Sequence, residues 1–272
     1  MKVHIDENIA NDFVICWGLI VRLPKYALFG KTREERRRNL EEKIMEILKE
    51  IPFSFESAKV SLASAWVRYY VFELELDGRK FALNILSPNS SIKSFKNLDF
   101  PDKGIARPVF LSEEFMLQEW IEGIPLSEFR EGFILKQDER IEKCITLTAE
   151  LLYELFKLGY IYEPWEDYEA VLREKEIVLL DLTRFSRRNL KRREFLKNYY
   201  GAPFFSPDLI VNDERNRIFW RGTSERDYFG ASREKYEELF LKGIARACDS
   251  FEEFLDVAQN EDKARSIWRK RY

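Results

Sequence analysis

An α+β fold, strands first and helices later, follows from three observations. Two runs rich in β-branched and aromatic residues, 65–76 and 79–86, flank Asp77-Gly78, the pair that best accepts both left-handed positions of a two-residue hairpin turn. Apolar residues recur at helical spacing across 138–158. Two further helical patterns, roughly 232–247 and 250–258, lie near the end of the chain.

Taken in order, residues 13–23 form an apolar, β-branched run before Pro24 and predict one strand of about ten residues. From Thr32 the period changes. Thr32 and Glu35 have capping-box spacing, and Leu40, Ile44, Ile47 and Leu48 mark one face of a helix that runs to Ile51-Pro52. The hairpin at 65–86 follows, then a polar stretch, 87–104, with room for a short helix near Ile92 to Leu98. Short strands are expected near Val109 and at Phe115 to Glu119. The helix of 138–158 buries Ile141, Cys144, Ile145, Leu151, Leu152, Leu155 and Phe156 and stops at Gly159, a residue suited to a helix C-terminus. Glu176 to Asp181 reads as a short buried strand ending on a carboxylate. A basic stretch, 184–197, a loop at 201–208 and a basic tail, Trp268 to Tyr272, complete the outline. No internal repeat or low-complexity linker interrupts it.

Composition excludes several chemistries. With 272 residues, 45% hydrophobic and 15% aromatic, the chain can bury a full core. It has no apolar run of membrane-spanning length and no signal-peptide order at its N-terminus, so it is expected in the cytoplasm and away from membranes. Charged residues make up 34% and Gln occurs three times, at 118, 137 and 259, a balance that leans towards a thermophile. Cys16, Cys144 and Cys248 lie far apart without paired spacing and read as buried free thiols. The single histidine, His4, argues against Ser-His-Asp and Cys-His catalysis and histidine-based zinc sites. Chemistry here would have to run on carboxylates, Lys, Arg or Tyr.

Over roughly residues 58–248 the order of motifs resembles the protein-kinase-like superfamily. Glu119-Trp120-Ile121-Glu122-Gly123 is similar to the kinase hinge. Leu158-Gly159-Tyr160-Ile161 stands where kinases approach the catalytic loop, Val178-Leu179-Leu180-Asp181 where they have the strand entering Asp-Phe-Gly, and residues 201–208 where the activation segment closes. The resemblance implies a two-lobed fold with a small β-rich N-lobe over 56–122 and a helical C-lobe over 123–272, preceded by a strand-helix extension over 1–55.

The residues that would carry kinase chemistry are mostly replaced. Kinases use a glycine-rich turn so that backbone N–H groups reach the ATP phosphates. No glycine lies between Gly30 and Gly78 here, and Trp66, Arg68 and Tyr69 occupy the turn. Asn84 stands at the place of the strand lysine, an amide without its charge. No glutamate lies between Glu75 and Glu113 to serve as that lysine's partner. In the catalytic loop Pro164 replaces the Asp and Glu169 the metal-binding Asn. Asp181 survives at the metal-binding position, though a cap of the next turn explains it equally.

The resemblance therefore implies a degenerate, pseudokinase-like protein acting as a binding or regulatory module. Asn84, Glu119, Asp181 and Arg68 would outline a degenerate nucleotide cleft. No cofactor is expected, with weak ATP and Mg²⁺ binding left open. An alternative is an atypical ATP-dependent phosphotransferase on a small molecule, RNA or protein, with Glu163 or Asp167 as base, Asp181 and Glu169 as metal ligands, and Arg68 in place of the lysine. Lys80 is a poor substitute, about 13 Å from Asn84 at ~3.3 Å per residue. A third reading is a nucleic-acid-binding protein, against which stands the pI of about 5.7. Residues 184–197 carry seven positive charges. Arg187, Arg188, Lys191, Arg192 and Arg193 could grip a protein or phosphate-bearing partner, or belong to a solvated helix face.

Overall fold

The computed structural model of the chain describes residues 2–10, 13–16, 19–22, 29–30, 32–65, 69–86, 90–92, 94–126, 139–162, 170–196 and 233–272. These form a mixed α/β protein, rich in sheet in its N-terminal part and in helix later, dividing into two compact units: Met1–Leu98 with Ala106–Ile121, and Asp99–Ile105 with Glu122–Tyr272.

The first unit begins with β1 (Lys2–Ile5), β2 (Phe13–Cys16) and β3 (Leu19–Arg22). The single strand expected over 13–23 is instead two short antiparallel strands, Phe13 pairing with Arg22 and Cys16 with Leu19. Gly18 inside the run was the sign of a break, because glycine weakens a strand interior. Helix α1 (Arg33–Glu50) starts where Thr32 caps it, its hydroxyl accepting from the Glu35 N–H at 3.1 Å, and ends before Pro52, which cannot continue a helix. The spacing of Arg36, Leu40, Ile44, Ile47 and Leu48 puts them on one buried face.

That face packs on a sheet whose strands are β4 (Ser57–Ala65), β5 (Tyr69–Leu76), β6 (Arg79–Leu86), β7 (Pro108–Leu111) and β8 (Phe115–Glu119) together with β1, in the order β1-β4-β5-β6-β8-β7. Only the β1–β4 pair among these is parallel. The hairpin stands as expected: Asp77 and Gly78 adopt φ of 47° and 81°, the signs a type I′ turn requires. Alternation then sets the core. Tyr70, Phe72, Leu74 and Leu76 of β5 turn inward with Phe81, Leu83 and Ile85 of β6 and Phe115 and Leu117 of β8. A fully buried residue such as Leu40, Ile44 or Phe72 contributes about 1.5–3 kcal/mol relative to exposure. The short helix expected in the polar stretch is a single 3₁₀ turn, Phe95–Asn97.

The second unit contains β9 (Ile124–Pro125), α2 (Glu139–Lys157), β10 (Tyr160–Tyr162), β11 (Ala170–Arg173), β12 (Glu176–Leu179), β13 (Phe185–Arg187), α3 (Arg233–Ala247), α4 (Phe251–Ala258) and α5 (Glu261–Arg269). Helix α2 ends as expected at Gly159, whose φ of 84° is left-handed. Its inner side holds Cys144, Ile145, Leu152 and Leu155, joined by Ala149 and Tyr153. Helix α3 crosses α2 so closely that a Cβ on Gly243 would lie 2.1 Å from the Thr146 carbonyl oxygen. Two small sheets, β12-β11-β9 and β10-β13, complete the unit. Residues 99–105 are stitched to it by the Leu179 N–H donating to the Gly104 carbonyl (2.9 Å) and a Lys103–Glu154 ion pair (2.9 Å). Cys144 and Cys248 are buried and form no disulfide among the described residues. No helix among the described residues is long and apolar enough to cross a membrane.

Candidate functional site

In the first unit, the position matched to the strand lysine lies on β6. Asn84 faces Met116 across the β6–β8 ladder, and its side-chain N–H donates to Gln118 Oε1 at 2.7 Å. Gln118 is 2% exposed and donates in turn from Nε2 to the Ala106 carbonyl at 3.1 Å. Asn84 thus heads a chain of neutral amides that ends on backbone. Such a chain satisfies buried polar groups and supplies no positive charge. Lys80 pairs with Glu73 at 2.7 Å, with its ammonium 5.9 Å from the Trp120 ring centroid. Glu119 closes β8, its N–H donating to the Arg107 carbonyl at 2.9 Å. Arg68 lies outside the described residues, as does Trp66.

In the second unit, Asp181 caps the 3₁₀ turn Leu182–Arg184. Its Oδ1 accepts from both the N–H (2.9 Å) and the hydroxyl (2.6 Å) of Thr183, and Oδ2 lies 3.3 Å from Nε of Arg184. These are the contacts of a local cap. Glu163, Asp167 and Glu169 lie outside the described residues. Among those described, no group of three or more His, Cys, Asp or Glu side chains could hold a metal ion.

Lys197 lies outside the described residues, and the described part of the basic stretch, 184–196, does not form one helix face. It runs from the 3₁₀ turn into β13, then through an extended segment to a second 3₁₀ turn, Arg192–Glu194. Arg187 is engaged within the fold: its Nε donates to Asp99, its NH2 donates to the Tyr160 hydroxyl (2.6 Å), and its guanidinium lies 4.3 Å from the centroid of that ring. Arg192 lies 3.9 Å from Glu253. Arg188, Lys191 and Arg193 are exposed, and the Arg193 carbonyl accepts from Nε2 of Gln259 at 2.7 Å. The five cations proposed as one partner surface therefore differ: Arg187 and Arg192 have charged or aromatic neighbours within the fold.

Beneath the stretch lies a buried polar node that the sequence reading did not single out. Glu253, 5% exposed, accepts from the Tyr153 hydroxyl (2.9 Å) and the Asp249 N–H (2.9 Å). Burial, reinforced by the charge of Glu253, pushes the Cys248 thiol up to about 12. Burial likewise raises the Tyr153 hydroxyl. Ser250-x-x-Glu253 has capping-box spacing, and Ser250 does cap α4, accepting from the Glu253 N–H at 3.2 Å, while the Glu253 carboxylate reaches the Asp249 N–H instead of that of Ser250. The reach of Glu253 to Tyr153, a hundred positions away, had no sequence signal.

No family model matches the chain. An uncharacterized protein of Archaeoglobus fulgidus is 50% identical to it over 269 residues, covering 93% of each. Among solved structures, the crystal structure of the Mycobacterium tuberculosis PknI kinase domain matches with a TM-score of 0.42 and 12% identity, covering 81% of this chain and 98% of that one. A likeness that loose carries no argument about fold or activity.

Proposed function

The chain belongs to one family with that uncharacterized archaeal protein, and from this premise we propose a degenerate kinase-like binding module that works in the cytoplasm without phosphoryl transfer. The observation that carries the reading is the amide chain from Asn84 through Gln118 to the Ala106 carbonyl. Phosphoryl transfer is catalysed chiefly by positioning and by positive charge around the phosphates. At the place where the motif order expects a charged strand residue, this chain has an amide already spent on its neighbours. Asp181, at the place of the metal ligand, commits Oδ1 to Thr183, while its Oδ2 lies 3.3 Å from Arg184 Nε and makes no hydrogen bond among the described residues. Lys80, on the same strand as Asn84, is tied to Glu73. The Asn84 amide, the Asp181 Oδ1 atom and the Lys80 ammonium each have a partner within the fold, which supports the binding-module reading.

Thermal unfolding with and without ATP tests this reading. A ligand at 100 times its Kd stabilises a fold by about 2.7 kcal/mol, a shift of several degrees for domains of this size. The expected outcome is no shift above about 1 °C with millimolar ATP and Mg²⁺ or Mn²⁺, and no labelled phosphate transferred to protein or RNA. A larger shift that disappears in Asp181→Ala would overturn the reading in favour of an atypical phosphotransferase.

A further inference from the structure

We propose that residues 188–193 form a preorganised arginine-rich turn that binds a phosphorylated peptide segment. Charge alone would leave this stretch a solvated run. What sets it apart is how its backbone is held. At one end Arg187 is clamped between Asp99 and Tyr160. At the other, Phe195 is fully buried, with ring centroids 5.1 Å from both Tyr153 and Phe156. Between them, Glu194 Oε2 accepts from the Lys191 N–H (2.9 Å), the Glu194 N–H donates back to the Lys191 carbonyl (2.8 Å), and Gln259 holds the Arg193 carbonyl. Arg188, Lys191 and Arg193 thus stand exposed on a fixed backbone, with Arg192, also exposed, 3.9 Å from Glu253.

A fixed backbone lowers the entropy lost when the cations converge on one ligand. Three of the four are arginines, whose planar forks match phosphate oxygens in pairs. Arginine clusters of this kind are a recurrent means of reading phosphorylated segments. Single-stranded nucleic acid fits less well, because its binding sites interleave cations with exposed rings on which bases stack. The two aromatic residues of this stretch, Phe185 and Phe195, are both buried. Of the acidic groups that touch the turn, Glu194 gives Oε2 to the Lys191 N–H, and Glu253, which is buried, lies 3.9 Å from Arg192.

The inference rests on the binding-module reading and is tested without nucleotide, so that the two fail separately. The probe is a fluorescein-labelled peptide pool with one fixed phosphoserine and randomised flanks, compared by anisotropy with the same pool unphosphorylated and with poly(U). The full chain should bind the phosphorylated pool about tenfold or more tightly than the other pool, with affinity falling as salt rises. Arg188→Gln, Lys191→Gln and Arg193→Gln together should remove that preference while the melting temperature moves by no more than about 1 °C. Arg188→Lys with Arg193→Lys, which preserves net charge, should lower it if paired forks do the reading. Equal binding of the two peptide pools, or a preference that survives the triple substitution, overturns the proposal. Tighter binding of poly(U) than of the phosphorylated pool overturns it as well and assigns the turn to nucleic acid. Phosphate transfer from ATP would defeat the binding-module reading while leaving these peptide results unchanged.

Discussion

Asp181 shows how one residue type supports two readings that only geometry separates. A metal ligand needs its carboxylate charge, whereas a cap needs only an acceptor oxygen at the right place. Oδ1 of Asp181 accepts from Thr183 twice. Asp181→Asn, which keeps that oxygen, should therefore change unfolding free energy by less than about 0.5 kcal/mol, while Asp181→Ala should cost about 1 kcal/mol, as lost caps do. Urea denaturation of the two variants decides it; equal losses in both would show that the charge and its contact with Arg184 matter more than the cap. Gln118 carries a larger penalty. It is 2% exposed and serves both Asn84 and the Ala106 carbonyl, so Gln118→Ala strands polar groups in the interior. A loss of about 1–3 kcal/mol is expected, and an unchanged urea midpoint would mean that water replaces the amide.

At the scale of elements, the α2–α3 crossing turns on Gly243. Alanine there would gain up to about 1 kcal/mol of helix propensity over glycine. Its Cβ would also lie 2.1 Å from the Thr146 carbonyl oxygen, 2.8 Å from Ala149 Cβ and 3.0 Å from the Glu150 nitrogen, two of them backbone atoms of a packed helix. Overpacking against atoms that cannot rotate away costs about 1–3 kcal/mol or more, so the clash wins and Gly243→Ala should lower the melting temperature by several degrees. Gly78→Ala is the contrast: nothing lies within 4 Å of the new Cβ, and only the strain of φ 81° remains, about 1–2 kcal/mol. Calorimetry showing the two variants equally destabilised would remove the crossing argument. The elements legible in sequence were those whose signal is local: α1 from Thr32 and its apolar spacing, the hairpin from Asp77-Gly78, α2 from its period and Gly159. Strands β9, β10, β11 and β13 were not, because two to four residues hold too little pattern and their pairing partners are distant, as Val171 with Pro125 and Tyr160 with Arg187 show. The last helix, α5, was obscured by its charged sequence, though Asn260 caps it as a sequence reader could have seen.

For the whole molecule, composition restricted chemistry more than it located a site. One histidine disfavours familiar catalytic arrangements, and a net charge of −3 from 45 basic and 48 acidic residues says little about where cations gather. Burial of ionisable groups, which no sequence pattern reports, instead sets how the molecule responds to alkali. Burial raises Tyr70 from 10.0 to about 12 in the first unit, and Cys248 from 9.0 to about 12 in the second. Both groups are neutral when protonated, and both hold the proton more tightly folded than unfolded. Their contribution to stability is therefore complete below about pH 9 and is lost as pH rises towards 12, where the unfolded chain ionises first. At 1.36 kcal/mol per pKa unit, the two together should cost about 4–6 kcal/mol by pH 11 to 12. Tyr70 offers a clean test because its hydroxyl makes no hydrogen bond among the described residues. Removing that hydroxyl leaves no partner stranded, so Tyr70→Phe should match or exceed the wild type at pH 7 and lose stability less steeply above pH 10. Urea midpoints measured from pH 7 to 11.5 would show two curves that diverge with alkalinity; parallel curves would mean that the Tyr70 hydroxyl reaches solvent and titrates as it does in the unfolded chain.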